Sequence, residues 1–233
     1  MKRWLAALTT PLAGAKSFAG AKSLAGEKLS GYLFVAGLLL LLTLLQLFQD
    51  DLLPQLRLEL AQGLLQSETQ GTNHRVDVRF CQPWRLFTAH WLHANWSHFL
   101  LNIGSLIAAL SLFPEMTRLS RLLPPLLLCP IAVSLGLVLF DTSNQWYIGY
   151  SGAFYGLLTC AAVQLFGRNP FAPFVLLFVI AKIGWEQTLG PLQSSSELMP
   201  GQIAIQAHLY GAICGVPLGL LSRFILAKSS SEA

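Results

Sequence analysis

The chain is expected to be an all-α membrane protein, a six-transmembrane-helix bundle with both termini cytoplasmic. Three observations lead there. Of its 233 residues, 54% are hydrophobic and only 11% charged, whereas roughly one-quarter of an ordinary soluble chain is charged. The charges part to leave apolar windows near the length of about 20 residues that a helix needs to cross a bilayer core. Lysine and arginine also collect on one side of those windows, which sets orientation. The same composition excludes a disordered chain, a nucleic-acid module with one basic face, and a small disulfide-stapled scaffold.

Residues 1–30 form a basic cytoplasmic leader holding three near-copies of a six-residue unit, AGAKSF, AGAKSL and AGEKLS. A mobile tail or a helix lying on anionic lipid is expected there. A cleaved signal peptide does not fit, because the apolar run starts late, is long, and ends in QDDLLP with no small-residue cleavage site. The membrane domain covers 31–226, with spans near 31–49, 97–113, 122–140, 151–167, 171–187 and 203–226. Its outer loop, 50–96, is too short and mixed for an independent domain, and 227–233 is a short cytoplasmic tail. Spans one and three are plain apolar runs. Spans two, four and six carry Asn, Ser, Tyr and His, which are costly in lipid and so should face protein or water. Pro124, Pro125 and Pro130 are expected to kink span three. Lys182 and Glu186, four apart on span five, suit an intramembrane ion pair or snorkelling.

With the N-terminus inside, the inner segments sum to +7 and the outer ones to −3, while Lys182 and Glu186 cancel. That asymmetry explains the basic character without any nucleic-acid partner. Cys81, Cys129, Cys160 and Cys214 are scattered singly, so each is expected as a structural thiol.

Spans two, four and six all run inward, and their unusual residues gather at the outer ends. His98 and Asn102 lie four apart on one face of span two. Span four opens with Gly149, Tyr150, Ser151 and Gly152, and span six carries His208 about one and a half turns in. Alone, an intramembrane serine or histidine is usually a structural hydrogen-bonder. Together they suit nucleophilic catalysis: a serine at a glycine-flanked helix start has room for another backbone, and a neutral imidazole can take its proton. His98 and Asn102 offer oxyanion donors at matching depth. Span four is short, which fits a recessed start that lets Ser151 and His208 meet. Small residues recur every four positions, at Ala207, Gly211, Gly215 and Gly219 in span six and at Gly152, Gly156 and Cys160 in span four, allowing close contact. Close packing alone would also explain the glycines.

These residues resemble the rhomboid intramembrane serine proteases over residues 83–220. The resemblance rests on Trp84 and Arg85 in the outer loop, His93 with His98 and Asn102, the Gly149-Tyr150-Ser151-Gly152 opening of span four, and His208 with Gly211 and Gly215. It implies Ser151 as nucleophile and His208 as its base, with no third acid needed. It further implies Tyr155 stacked on that histidine, and His98, Asn102 and the Ser151 backbone N–H around the oxyanion. His93 matches an outer-loop position of the family, whereas His90 has no assignment; a structural role is expected of both. Trp84 and Arg85 are expected to anchor at the membrane interface. The fifth helix of rhomboids is thought to move aside for substrate, so Lys182 and Glu186 could set that motion.

The sequence LYG at 209–211 and the outer-loop HANWSH are more similar to the rhombosortase branch. These are bacterial relatives thought to process a C-terminal tag of Gly-Gly, transmembrane helix and basic tail. The implied protein is a serine endopeptidase of the bacterial inner membrane with its site facing the periplasm. Its partners are the lipid bilayer and membrane-anchored protein substrates cut at or near a transmembrane helix. The alternatives are an inactive relative that holds such clients without cutting them and a haem-binding cytochrome using His90, His93, His98 and His208. No cofactor or metal is expected, because the carbonyl would be polarised by donors rather than a metal and no carboxylate joins the histidines at ligand spacing.

Overall fold

The computed structural model describes residues 12–60, 82–141, 144, 146–191 and 203–231. Residues 1–11 of the leader, 61–81 of the outer loop with Cys81, 142–143, 145, 192–202 and the last two residues lie outside the described part. In chain order the elements are α1 (Leu12–Leu47), α2 (Gln49–Leu56), β1 (Leu58–Glu59), α3 (Arg85–Thr88) continuing into a 3₁₀ turn (Ala89–Trp91), and α4 (Trp96–Leu112). A second 3₁₀ turn (Pro114–Thr117) leads to α5 (Leu119–Phe140), β2 (Trp146–Tyr147), α6 (Ser151–Gln164), α7 (Ala172–Leu189) and α8 (Ile205–Ser231).

Among the described residues, four stretches are long and apolar enough to cross a membrane: Gly26–Leu47, Leu119–Phe140, Ala172–Leu189 and Ile205–Ile225. α4 is apolar but has 17 residues, and α6 only 14. α6 stops short of the expected residue 167 because the chain turns over residues 165–168, with Gly167 at φ +76°. α1 runs unbroken from the repeats into the first span. Its alanines, lysines and leucines are good helix formers, and isolated glycines do not end a helix, so no break marks residue 30. α5 likewise accommodates Pro124, Pro125 and Pro130 within one helix.

The all-α expectation needs one amendment. Leu58 and Glu59 pair antiparallel with Tyr147 and Trp146, a ladder too short to leave a periodic signal in sequence. It ties the outer loop to the segment that enters α6. Beside it, Leu58, Leu60, Ala89, Val133, Leu137, Tyr147 and Ala207 form one apolar cluster.

α6 is the hub, buried along nearly its whole length, with α5, α7 and α8 packed around it. The small stripes expected from sequence meet there. A Cβ on Gly211 would overlap the Gly152 carbonyl oxygen, one on Gly215 the Gly156 carbonyl, and one on Gly219 would lie 2.7 Å from that of Cys160. Two backbones therefore touch at three successive turns, which dispersion rewards and lipid cannot replace.

Arg85 behaves differently from the interfacial anchor expected of it. Trp84 is exposed, but Arg85 is buried, and its guanidinium donates to the carbonyls of Arg57 (2.9 Å) and Pro54 (3.0 Å) and to the Gln82 side chain. A planar fork of five donors can close two loop segments together in this way. Replacing Arg85 with alanine strands those buried acceptors, so a loss of about 3 kcal/mol is expected, read as a lowered melting temperature in detergent. Lysine should recover only part of it, since a single ammonium cannot reproduce the fork.

Candidate active site

Ser151 is the first residue of α6. No side chain caps that helix, so its opening N–H groups lack the intrahelical acceptors that later residues have. The turn before it is held from several sides. Gly149 sits at φ +119°, a conformation that side chains resist, and a Cβ there would lie 2.8 Å from Cε1 of His98. Its N–H donates to the Ala89 carbonyl (3.0 Å) and its carbonyl accepts the Tyr147 hydroxyl (2.7 Å). Tyr150 stacks on Trp91 with ring centroids 5.3 Å apart.

His208 is the fourth residue of α8 and only 7% exposed. Its Nε2 lies 3.0 Å from the Ser151 Oγ. Its Nδ1 lies 2.8 Å from Oε2 of Glu186, and Oε1 of Glu186 lies 2.8 Å from the Lys182 ammonium. A carboxylate can only accept, so Nδ1 carries the proton, and the Nε2 lone pair is left to accept the serine O–H. Tyr155, one turn along α6 from Ser151, packs its ring against the imidazole at 4.7 Å.

Ser151, His208 and Tyr155, from two helices, are thus in mutual contact. An acid does lie beside the imidazole, since Glu186 reaches His208 from α7. The pair with Lys182 is present as expected, but only one carboxylate oxygen serves it. Nothing local in the sequence links the two, because the partner lies 22 residues away on another helix. A usable signal existed, since Glu186 is a carboxylate near the C-terminal end of the apolar helix α7.

His98 and Asn102 share the buried face of α4. The Nδ1 of His98 accepts the Ala94 N–H at 3.4 Å, which leaves Nε2 as the protonated nitrogen, on the side of Gly149. Asn102 gives one amide hydrogen to the His98 carbonyl at 3.2 Å and retains the other. His93 packs edge-on against both His98 (5.2 Å) and Phe99 (5.5 Å). His90 forms a second serine–histidine pair, with Nε2 2.9 Å from the Ser134 Oγ. That hydroxyl donates to the Leu86 carbonyl (2.7 Å) and both residues are fully buried, so the contact ties the outer loop to α5. Burial pushes the imidazoles of His90 and His93 down to about 3, with nearby His98 adding to the effect on His93; both are neutral near pH 7.

Cys129 and Cys160 are buried thiols. Among the described residues, no group of three or more His, Cys, Asp or Glu side chains is placed to hold a metal ion.

A comparison with curated proteins finds no match. The family model of the rhomboid domain matches residues 81–223, more than half of the chain, and that stretch contains Ser151, Glu186, His208, His98 and Asn102. With apolar helices of membrane-crossing length beneath this site, the chain is an integral membrane protein and belongs to the rhomboid family of intramembrane proteases.

Proposed function

We propose that the protein is an intramembrane serine endopeptidase that cuts a membrane-anchored client at or near its transmembrane helix. The 3.0 Å contact between the Ser151 hydroxyl and the lone-pair nitrogen of His208 carries this conclusion. Ser151 Oγ attacks the scissile carbonyl carbon while Nε2 takes its proton. The resulting oxyanion is met by the Ser151 N–H, the His98 Nε2–H and the remaining Asn102 amide hydrogen. Collapse breaks the C–N bond, with Nε2 returning the proton to the departing amine. Water then attacks the acyl-enzyme, again giving its proton to Nε2, and Ser151 is restored. Tyr155 limits the tilt of the imidazole throughout.

An apolar cavity of about 390 Å³ lies between α4, α6 and α7, walled by Ala108, Tyr155, Phe174 and Phe178. It borders the ring that packs on His208, which suits a substrate arriving from the lipid side. The charge asymmetry of the sequence supports six spans, counting α4 and α6, with both termini inside and the site toward the outer face of a bacterial inner membrane. The same topology keeps the leader 1–30 and the tail 227–233 in the cytoplasm. The LYG and HANWSH segments favour a rhombosortase-like client bearing a C-terminal Gly-Gly, transmembrane helix and basic tail. Co-expression with such a precursor should yield a shortened client, and persistence of the full-length form alone would count against that substrate.

The catalytic proposal has a test that needs no client. A fluorophosphonate probe should label the detergent-solubilised protein once, at Ser151, with loss of fluoride. An unlabelled but folded protein favours the alternative, a relative that binds clients without cutting them. Replacing Asn102 with alanine should slow turnover by about 10²-fold, as expected for one oxyanion donor, with little change in melting temperature.

A further inference from the structure

The buried face of α7 reads Ala172, Val175, Val179, Ile183 and Glu186, an apolar stripe at helical spacing that ends in a carboxylate. Glu186 is 2% exposed. A charge carried into a membrane bundle is costly, and mutual neutralisation by Lys182 would account for its presence. It does not account for the way the two oxygens are used. Oε1 takes the ammonium at 2.8 Å, whereas Oε2 is turned away from it to the Nδ1 of His208, also at 2.8 Å. The order of contacts runs Lys182, Glu186, His208, Ser151, with every polar atom along it holding one partner.

Resting on the protease reading above, we infer that Glu186 is the positioning residue of His208, anchored by Lys182, so that the site works as a Ser–His–Glu triad drawn from three separate helices. The carboxylate does two things there. It accepts the Nδ1 proton, which fixes the tautomer whose Nε2 can receive the serine proton, and it faces the imidazolium that forms when that proton arrives. Glu186 itself neither gains a proton nor touches the substrate. The spacing of Ser151 from His208 is set by the glycine contacts between α6 and α8, whereas the acid arrives on α7. Distance and tautomer are therefore governed by different packing surfaces. The groups facing His208 are Ser151 and Tyr155 from α6 and Glu186, with Lys182 behind it, from α7.

The test follows the rate of fluorophosphonate labelling at Ser151 in the detergent-solubilised full chain, together with the ¹⁵N shifts of the His208 ring, which report the nitrogen that holds the proton. Glu186→Gln should slow labelling by about 10²-fold or more and lower the share of the ring protonated at Nδ1. Glu186→Asp should restore part of both. Because Glu186→Gln leaves Lys182 without its carboxylate, the double variant Lys182→Met with Glu186→Gln serves as the folded comparison. It should label as slowly as the single variant. Labelling of the double variant within twofold of wild type, with an unchanged tautomer, overturns the assignment and leaves the protease reading standing. If wild type itself does not label, the protease reading is what fails, and the contact is then read from the same ¹⁵N shifts in Ser151→Ala. Shifts unaltered by adding Glu186→Gln would overturn it.

Discussion

Ser151→Ala is expected to abolish cleavage of a membrane-anchored client, by at least about 10⁴-fold, while the protein accumulates and melts as wild type does. The hydroxyl is the group that forms the acyl bond, and what would remain is catalysis from binding and oxyanion donors alone. Removing one oxygen from a half-buried helix start leaves no charge stranded and opens little space, so stability should hardly change. His208→Ala should be equally inactive, because without Nε2 the serine stays a weak nucleophile. Combining the two should add almost nothing, since they act as one unit. The measurement is client processing in membranes alongside a detergent melting curve. Cleavage by Ser151→Ala at the wild-type rate would falsify the nucleophile assignment.

Gly211→Leu should produce the second large effect, on fold and activity together. At this position the obstacle is the Gly152 carbonyl oxygen itself, which belongs to the backbone and cannot rotate away. A side chain there must push α8 off α6, at a cost of about 3 kcal/mol or more. The Ser151–His208 contact straddles the same two helices, and a misplacement near 1 Å lowers catalysis by about 10²-fold. Melting temperature and fluorophosphonate labelling should therefore fall in step. Gly104 on α4 is the matched control: nothing lies within 4 Å of a Cβ there, so Gly104→Ala should be neutral or stabilising by up to about 1 kcal/mol. Equal melting temperatures for Gly211→Leu and wild type would show that the close approach does not hold the helices.

Much of the site was legible because its signals are local. Gly149, Ser151 and Gly152 are contiguous, His98 and Asn102 share a helix face by spacing, and the stripe through Gly211, Gly215 and Gly219 announces close packing. Arg85 was misplaced because a WR pair beside a membrane looks interfacial, whereas the carbonyls that capture the guanidinium, at Pro54 and Arg57, are about thirty residues away. The antiparallel pair at Leu58 and Tyr147 was invisible for the same reason. His90 was expected to be structural, and its burial against Ser134 shows what it holds: it braces the loop before α4 against α5.

By itself the sequence determined that this chain lives in a membrane, where its apolar stretches lie, and which serine and histidine share a depth. Those properties follow from transfer free energies and helical periodicity, which act on neighbours along the chain. Tertiary structure alone decided that a carboxylate on α7 meets the imidazole on α8. Along span five Glu186 has Lys182, Gln187 and Thr188 as polar neighbours, and nothing in that order says which way the carboxylate turns; packing against α6 selects its inward face and brings its oxygen to Nδ1.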